Sequence, residues 1–325
     1  MEKVIKLIKN SYSVQYFFSF IFKKLTKKIG YPNFSSYANT NLRKILNIRK
    51  ILKRKAIAKE IIKNHKGPFI SKSEGYLLFG KNYKPTISNL IDACNKIIDK
   101  KGRENLNNWY LEKSKLKSKD FFFNVLEEDD VLDNPELMNF VLSDEILGCA
   151  IKYYGFVPQL SSLGLFVSPE NQSLEKLRAS QQYHLDGENQ HLKCYVYLSD
   201  VTTKSGAFTF IPKNKSNELR DMNGGYFRSC GLENEQLLKE YDKNHSIQIL
   251  GGPGNGGFVD TTSCLHYGSR CTEGDRLVFM FHYAAFANYT DLPNNPLRDL
   301  RLQHYSSIRS QYSDTDLKKI VLSVG

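Results

Sequence analysis

Apolar residues recur at helical spacing in the first half of the chain and as short alternating runs in the second. Over Asn41–His65, Ile45, Ile48, Leu52 and Ile62 lie near one face, with Arg43, Lys44, Arg49, Lys50, Lys53 and Arg54 largely around it, which predicts a basic amphipathic helix. Gly67-Pro68 punctuates the chain, and Gly75–Leu78 reads as a short apolar strand. Ser88–Lys100 predicts a second amphipathic helix through Leu90, Ile91, Cys94, Ile97 and Ile98. Asn134–Tyr154 predicts one or two more, with Pro135 suited to a first turn. From Gln159 the texture changes to strands: Leu160–Val167, Cys194–Leu198, Ala207–Ile211 (stopped by Pro212), Ser246–Leu250, Gly257–Val259 running on towards His266, and Leu277–Tyr283. A glycine-rich break, Gly251–Gly257, separates two of them and reads as a turn, since it lacks the Lys-Ser/Thr and following helix of a phosphate loop. Short strands with turn signals predict a β-sandwich or barrel, and helices mostly preceding strands make the whole α+β.

Composition supports a folded chain: 325 residues at 41% hydrophobic can bury a sizeable core. The formal net charge of +12 is unevenly placed. Of 46 basic and 34 acidic residues, 17 and two (Glu2 and Glu60) fall in residues 1–70, leaving 29 and 32 for the remainder. Residues 1–67 thus form a basic helical N-terminal appendage, in which Met1–Ile29 reads as a candidate amphipathic helix and Tyr31–Thr40 as a linker, and 68–325 form the main domain. A basic appendage fits a peripheral membrane surface better than nucleic acid here, and equally fits a solvated face. The apolar run Tyr12–Phe22 is shorter than the ~20 residues that span a bilayer and is followed directly by Lys23 and Lys24 rather than a cleavage site. Six scattered cysteines, none in a CxxC pair, suit buried thiols in a reducing cytoplasm. The expected protein is cytoplasmic, soluble or membrane-peripheral.

The candidate chemistry begins at Gln181-Gln182-Tyr183-His184-Leu185-Asp186-Gly187. On a strand, residues two apart project from one face, so His184 and Asp186 can reach a single metal ion from one strand end. A two-histidine, one-carboxylate set leaves coordination positions open and suits Fe(II) oxygenases. Further along, Gly257–Gly268 reads as a glycine-led strand with His266 near its end, and Arg276 opens the apolar strand Leu277–Tyr283. An arginine beside an apolar strand needs an anion, and the distal carboxylate of a dicarboxylic acid matches its planar fork. The bland alternatives are a surface His–Asp pair, and Arg276 paired with Glu273 or Asp275 on a turn. His282 shares strand parity with Arg276 and is expected to line the interior, while His191 opens the preceding strand in a loop or packing role.

Residues 70–285 resemble the phytanoyl-CoA dioxygenase family of 2-oxoglutarate oxygenases. The resemblance is carried by Gln181, His184 and Asp186, by Leu198-Ser199-Asp200-Val201, by Gly206 and Pro212, and by His266, Gly268 and Arg276. The Gly75-Tyr76-Leu77-Leu78 opening and the helix after it are similar as well. It implies a double-stranded β-helix, a jelly-roll or cupin-like barrel flanked by helices, with iron at one mouth. It implies His184, Asp186 and His266 as Fe(II) ligands and Arg276 as the anchor of the 2-oxoglutarate 5-carboxylate. Where many members carry a hydroxyl residue two positions after the second histidine, this chain has Gly268, and Ser269 or Tyr267 would have to substitute. Tyr195 is the candidate aromatic on the strand after His-x-Asp. The implied activity is hydroxylation of a small or medium organic substrate by dioxygen, with 2-oxoglutarate converted to succinate and carbon dioxide. A carboxylate at Asp186, where related halogenases keep a small residue, favours hydroxylation over halogenation. Two other readings stand beside it: a non-catalytic binding or scaffold protein on the same fold, tethered by its basic appendage, and a metal-dependent barrel enzyme that does not use 2-oxoglutarate. The sequence names neither the substrate nor an oligomeric state.

Overall fold

Strands β3 (Gln159–Ser168), β4 (His191–Tyr197) and β9 (Arg276–Ala284) are rich in apolar and aromatic residues, and almost every residue in them is buried. Strands covered on both faces read as near-continuous apolar runs, and these three form the middle of the larger sheet. The computed structural model describes residues 47–80, 86–113, 121–170, 177, 179–186, 191–222, 241, 243–285 and 295–323. With β1 (Tyr76–Phe79), β2 (Phe123–Asn124), β7 (Gly256–Asp260) and β10 (Leu300–Arg301), they make a seven-stranded antiparallel sheet ordered β1-β7-β4-β9-β3-β10, with β2 pairing β3. A second sheet pairs β5 (Thr209–Phe210) with β6 (Ile247–Gln248) and β8 (His266–Tyr267).

Register decides which side chains meet. Lys193 pairs with His282, Tyr195 with Met280, Phe166 with Val278 and Ser168 with Arg276. Since alternate residues share a face, the odd residues of β4 and the even residues of β3 and β9 line one side. There Phe166, Tyr195, Tyr197, Val278 and Met280 pack with Phe208, Phe210 and Ile249 from around the smaller sheet. Leu163, Leu165, Leu192, Cys194, Phe279 and Phe281 lie on the other side, in a larger core shared with the helices.

The helices follow local signals. Asp144–Tyr154 starts on Ser143, whose hydroxyl accepts from Ile146 N, carries Asp144 and Glu145 in its first turn, and ends on Gly155 at φ 73°. Glu136–Val141 precedes it, so the expected helical stretch is two helices. Ser88–Lys101 buries Leu90, Cys94, Ile97 and Ile98, as its apolar spacing requires. In the helix Ile48–Asn64, however, Ile48 and Leu52 are exposed, whereas Ala58 and Arg54 are buried. Arg54 donates to the carbonyls of Val157 (2.8 Å), Pro158 (3.0 Å) and Ile320 (2.6 Å) and to Ser323 Oγ (2.8 Å). Those acceptors seat the helix with Ile57, Ile61 and Ile62 packed against the core, while Ile48 and Leu52 at its start stay outside. The expected helix over Met1–Ile29 and the linker after it lie outside the described residues.

The molecule is jelly-roll-like, two antiparallel sheets flanked by helices, but among the described residues the sheets are not hydrogen-bonded into the closed barrel expected from sequence. The smaller sheet's strands are only two residues long. The segment expected to run as one strand to His266 is instead split between the sheets. Asp260 carbonyl accepts from Ser263 N and Cys264 N, and its Oδ1 from Thr262 N, an Asx-type turn that ends β7 and redirects the chain into β8. The five described cysteines are buried free thiols, and Cys230 lies outside the described residues. Among the described residues no helix is long and apolar enough to cross a membrane.

Candidate metal centre

His184 and His266 face each other across an isolated antiparallel bridge in which each backbone N–H donates to the other's carbonyl at 3.0 Å. Two residues on, Asp186 N donates to Thr261 O at 2.9 Å, which fixes the carboxylate beside the turn that leads to His266. Both imidazoles are then held by their Nδ1 atoms, which donate to Gln182 O at 2.8 Å for His184 and to Cys264 O at 2.9 Å for His266. With the proton on Nδ1, each Nε2 presents its lone pair, the arrangement that backbone carbonyls impose on metal-binding histidines. The two Nε2 atoms lie 3.9 and 3.8 Å from the Asp186 carboxylate, and one donor atom from each residue falls within 4.8 Å of the others.

Electrostatics favours a cation here. Burial pushes the His266 imidazole down to about 3, so it is a neutral ligand at any ordinary pH. Burial would raise the Asp186 carboxyl, but Lys193 beside it and a hydrogen bond from Thr261 outweigh this and hold it well below the usual carboxylate range. Asp186 Oδ2 is buried without an aligned hydrogen bond, although Lys193 Nζ lies 2.7 Å away. An ionised carboxylate beside two neutral imidazole nitrogens fits a divalent ion. His184, Asp186 and His266 make a two-histidine, one-carboxylate facial triad consistent with an Fe(II)/2-oxoglutarate site.

Arg276 opens β9 and is buried at 4% exposure. Its Nη1 donates to Gly206 O, and its Nη2 to Ser168 Oγ (3.1 Å) and Ser269 Oγ (2.8 Å). Nε has no hydrogen-bond partner, and no carboxylate pairs with the guanidinium among the described residues. The surface-turn alternatives are engaged elsewhere: Glu273 pairs with Lys204 at 2.5 Å, and Asp275 Oδ1 accepts from Glu170 N at 2.6 Å. Ser269 reaches Arg276 through a left-handed backbone conformation (φ 60°), and Gln181 Nε2 donates to its carbonyl at 3.0 Å. Tyr267 turns away, its ring 3.4 Å from the Arg270 guanidinium. Tyr195 is buried on the interior face with its ring 4.2 Å from that of Phe208, which in turn lies 5.3 Å from His266. Burial first, then the field of Asp186, pushes the Tyr195 phenol well above its usual range, with Arg276 opposing, so it is a neutral group under the influence of both.

Lys193, Ser168 and Phe208 also build the site and were not singled out by sequence. Lys193 carried a signal, a lone charge in the apolar strand His191–Tyr197 with the same parity as Tyr195. Ser168 carried none, because its role depends on pairing with Arg276 from a distant strand.

No family model matches the chain, and no curated protein matches it. Among solved structures it is similar to the apo form of EctD from S. alaskensis, at 15% identity over 70% of this chain and 81% of that one, with a TM-score of 0.43. It is also similar to the non-heme alpha-ketoglutarate-dependent epimerase SnoN of nogalamycin biosynthesis, at 14% identity over 76% and 94%, with a TM-score of 0.42. A third is HygX from Streptomyces hygroscopicus with nickel and 2-oxoglutarate bound, at 14% identity over 67% and 88%, with a TM-score of 0.40. These likenesses are distant, and the chemistry of the centre rests on the residues of this chain.

Proposed function

We propose that the chain is an Fe(II)- and 2-oxoglutarate-dependent oxygenase that hydroxylates a small or medium organic substrate. The observation that carries this is the convergence of three donor atoms from His184, Asp186 and His266, with both imidazoles oriented by backbone carbonyls. Bound iron, with 2-oxoglutarate and dioxygen, supplies the oxidising chemistry, with succinate and carbon dioxide as co-products. The chain's own residues do the rest. His184, Asp186 and His266 hold the ion on one side. Arg276, steadied by Ser168 and Ser269, receives the distal carboxylate of the co-substrate on a guanidinium that has no acid of its own. Tyr195 and Phe208 wall the space between these poles and exclude water. Asp186 keeps a carboxylate where halide binding would need a gap, which favours hydroxylation. The narrower likeness to phytanoyl-CoA dioxygenases rests on the Gln181-to-Arg276 motifs alone. We read 68–325 as the catalytic domain and 1–67 as a basic appendage, suited to a peripheral membrane contact.

Anaerobic addition of Fe(II) and 2-oxoglutarate is expected to give the weak visible charge-transfer band of the chelate, and His184→Ala to abolish it. A folded wild-type chain with neither that band nor iron-dependent succinate formation would refute the proposal and favour a non-catalytic role.

A further inference from the structure

The interior face of the larger sheet changes character along its strands. Around Tyr195 it is apolar and aromatic, with Phe166, Val278 and Met280. One step past Tyr195, towards the Ala284 end of β9, it becomes polar. Register places Arg301, Ser162, His282 and Lys193 in a single cross-strand row, from β10 through β3 and β9 to β4. The next row holds Gln159, Ala284 and His191. Directly opposed residues in a sheet stand about 5 Å apart at Cβ, so these side chains share one wall. Ser162 Oγ lies 3.2 Å from His282 Nδ1, and the rings of His191 and His282 are 6.2 Å apart.

This wall abuts the metal centre, because Lys193 Nζ is 2.7 Å from Asp186 Oδ2. Arg276 stands six residues away along β9, on the same face, so the triad has one cationic pole at the inner end and another at the opposite end. Arg276 serves the co-substrate, which leaves the second pole for a different anion. Several of its groups lack full partners. Arg301 donates from Nε to Asp299 Oδ1 at 3.2 Å, and among the described residues its Nη groups have no acceptor. His191 Nδ1 and Gln159 Oε1 are buried without hydrogen bonds. The side chains of Lys193 and Arg301 are 15% and 11% exposed, each beside a single carboxylate, Asp186 and Asp299. A metal ion on Asp186 also draws off the counter-charge that Lys193 otherwise enjoys. Burial lowers both His191 and His282, which therefore act as neutral hydrogen-bonding groups beside the two cations.

We infer that the primary substrate carries an anionic group, a carboxylate or a phosphate, received by Lys193 and Arg301 with His282 and Ser162 between them. This rests on the oxygenase reading for the word substrate, but the anion pocket can be tested apart from it. The full-length chain, saturated with 2-oxoglutarate to occupy the Arg276 pole, is titrated calorimetrically with butyrate, butyl phosphate and neutral butyramide, with and without Fe(II) under anaerobic conditions. At least one of the two anions is expected to bind tenfold or more tighter than the amide, and the stronger arm identifies the headgroup. Arg301→Gln, and independently His282→Gln, are expected to weaken that anion about tenfold, the loss of roughly one charge-assisted or buried hydrogen bond, while leaving the amide unchanged. The chelate band, read in the same samples, reports the metal centre separately. Equal binding of anions and amide, or both folded variants binding like wild type, overturns the inference even where the band is present. Selective anion binding with neither the band nor iron-dependent succinate formation upholds the pocket and refutes the oxygenase reading instead.

Discussion

Replacing Arg276 separates the two ends of the proposed co-substrate site. Its guanidinium spends Nη1 and Nη2 on Gly206 O, Ser168 and Ser269, keeps Nε unpaired, and faces no acid. A hydrogen bond to a charged partner contributes about 1.5–3 kcal/mol. Arg276→Gln removes the charge and at least one such bond to the co-substrate, so the expected loss is about 2–4 kcal/mol, or roughly 30- to 1,000-fold in Kd for 2-oxoglutarate. Arg276→Lys keeps a point charge but loses the planar fork and is expected to fall between Gln and wild type. The assay is anaerobic titration of the Fe(II)-loaded chain with 2-oxoglutarate, followed by the chelate band. The midpoint moves while the amplitude at saturation persists, because the iron-binding end is untouched. A Gln variant that is folded by circular dichroism and has a Kd within threefold of wild type would refute the role given to Arg276.

Other outcomes follow from the same geometry. Lys193→Met removes a cation 2.7 Å from a ligand oxygen and is expected to tighten Fe(II) binding about tenfold in a competition titration against a chelator; weaker binding would mean that Lys193 orients Asp186 instead. Arg54→Ala leaves three carbonyls and Ser323 without their buried donor and is expected to cost about 3–5 kcal/mol in denaturant unfolding, whereas a loss below about 1 kcal/mol would show those groups to be satisfied by water. His191, His266 and His282 are all depressed by burial, His266 to about 3. The unfolded chain binds protons that the folded one refuses, so stability of the metal-free chain is full above about pH 6.5 and is lost as pH falls below it, continuing towards 3; a flat profile from pH 7 to 5 would contradict their buried, neutral state.

Much of this was legible because both faces of the long strands are buried. Continuous apolar runs mark β3, β4 and β9, and the parity of 276 and 282 puts His282 on the interior face. His184, Asp186 and His266 were legible as residue types at a spacing, yet His184 and Asp186 do not sit on a regular strand. A single bridge and the Thr261 carbonyl bring the three ligands together, and these depend on a turn built by the Asp260 side chain. That turn competes with strand continuation, and alternation cannot show which prevails. The burial of Arg54 was illegible for a related reason. Its acceptors come from residues more than a hundred positions away, so within its own helix it reads as one more surface cation.

The Arg54 clamp has a practical corollary for anyone trimming the molecule. One guanidinium knots the helix Ile48–Asn64 to the entrance of β3 and to the backbone at Ile320 and the hydroxyl of Ser323. Deleting the whole basic segment through residue 67 and clipping the final turn at Ile320–Ser323 are therefore two ways of untying the same fastening. Versions meant to separate the lysine-rich N-terminal segment from the main domain need their new start ahead of Asn47, or else loss of fold will masquerade as loss of binding.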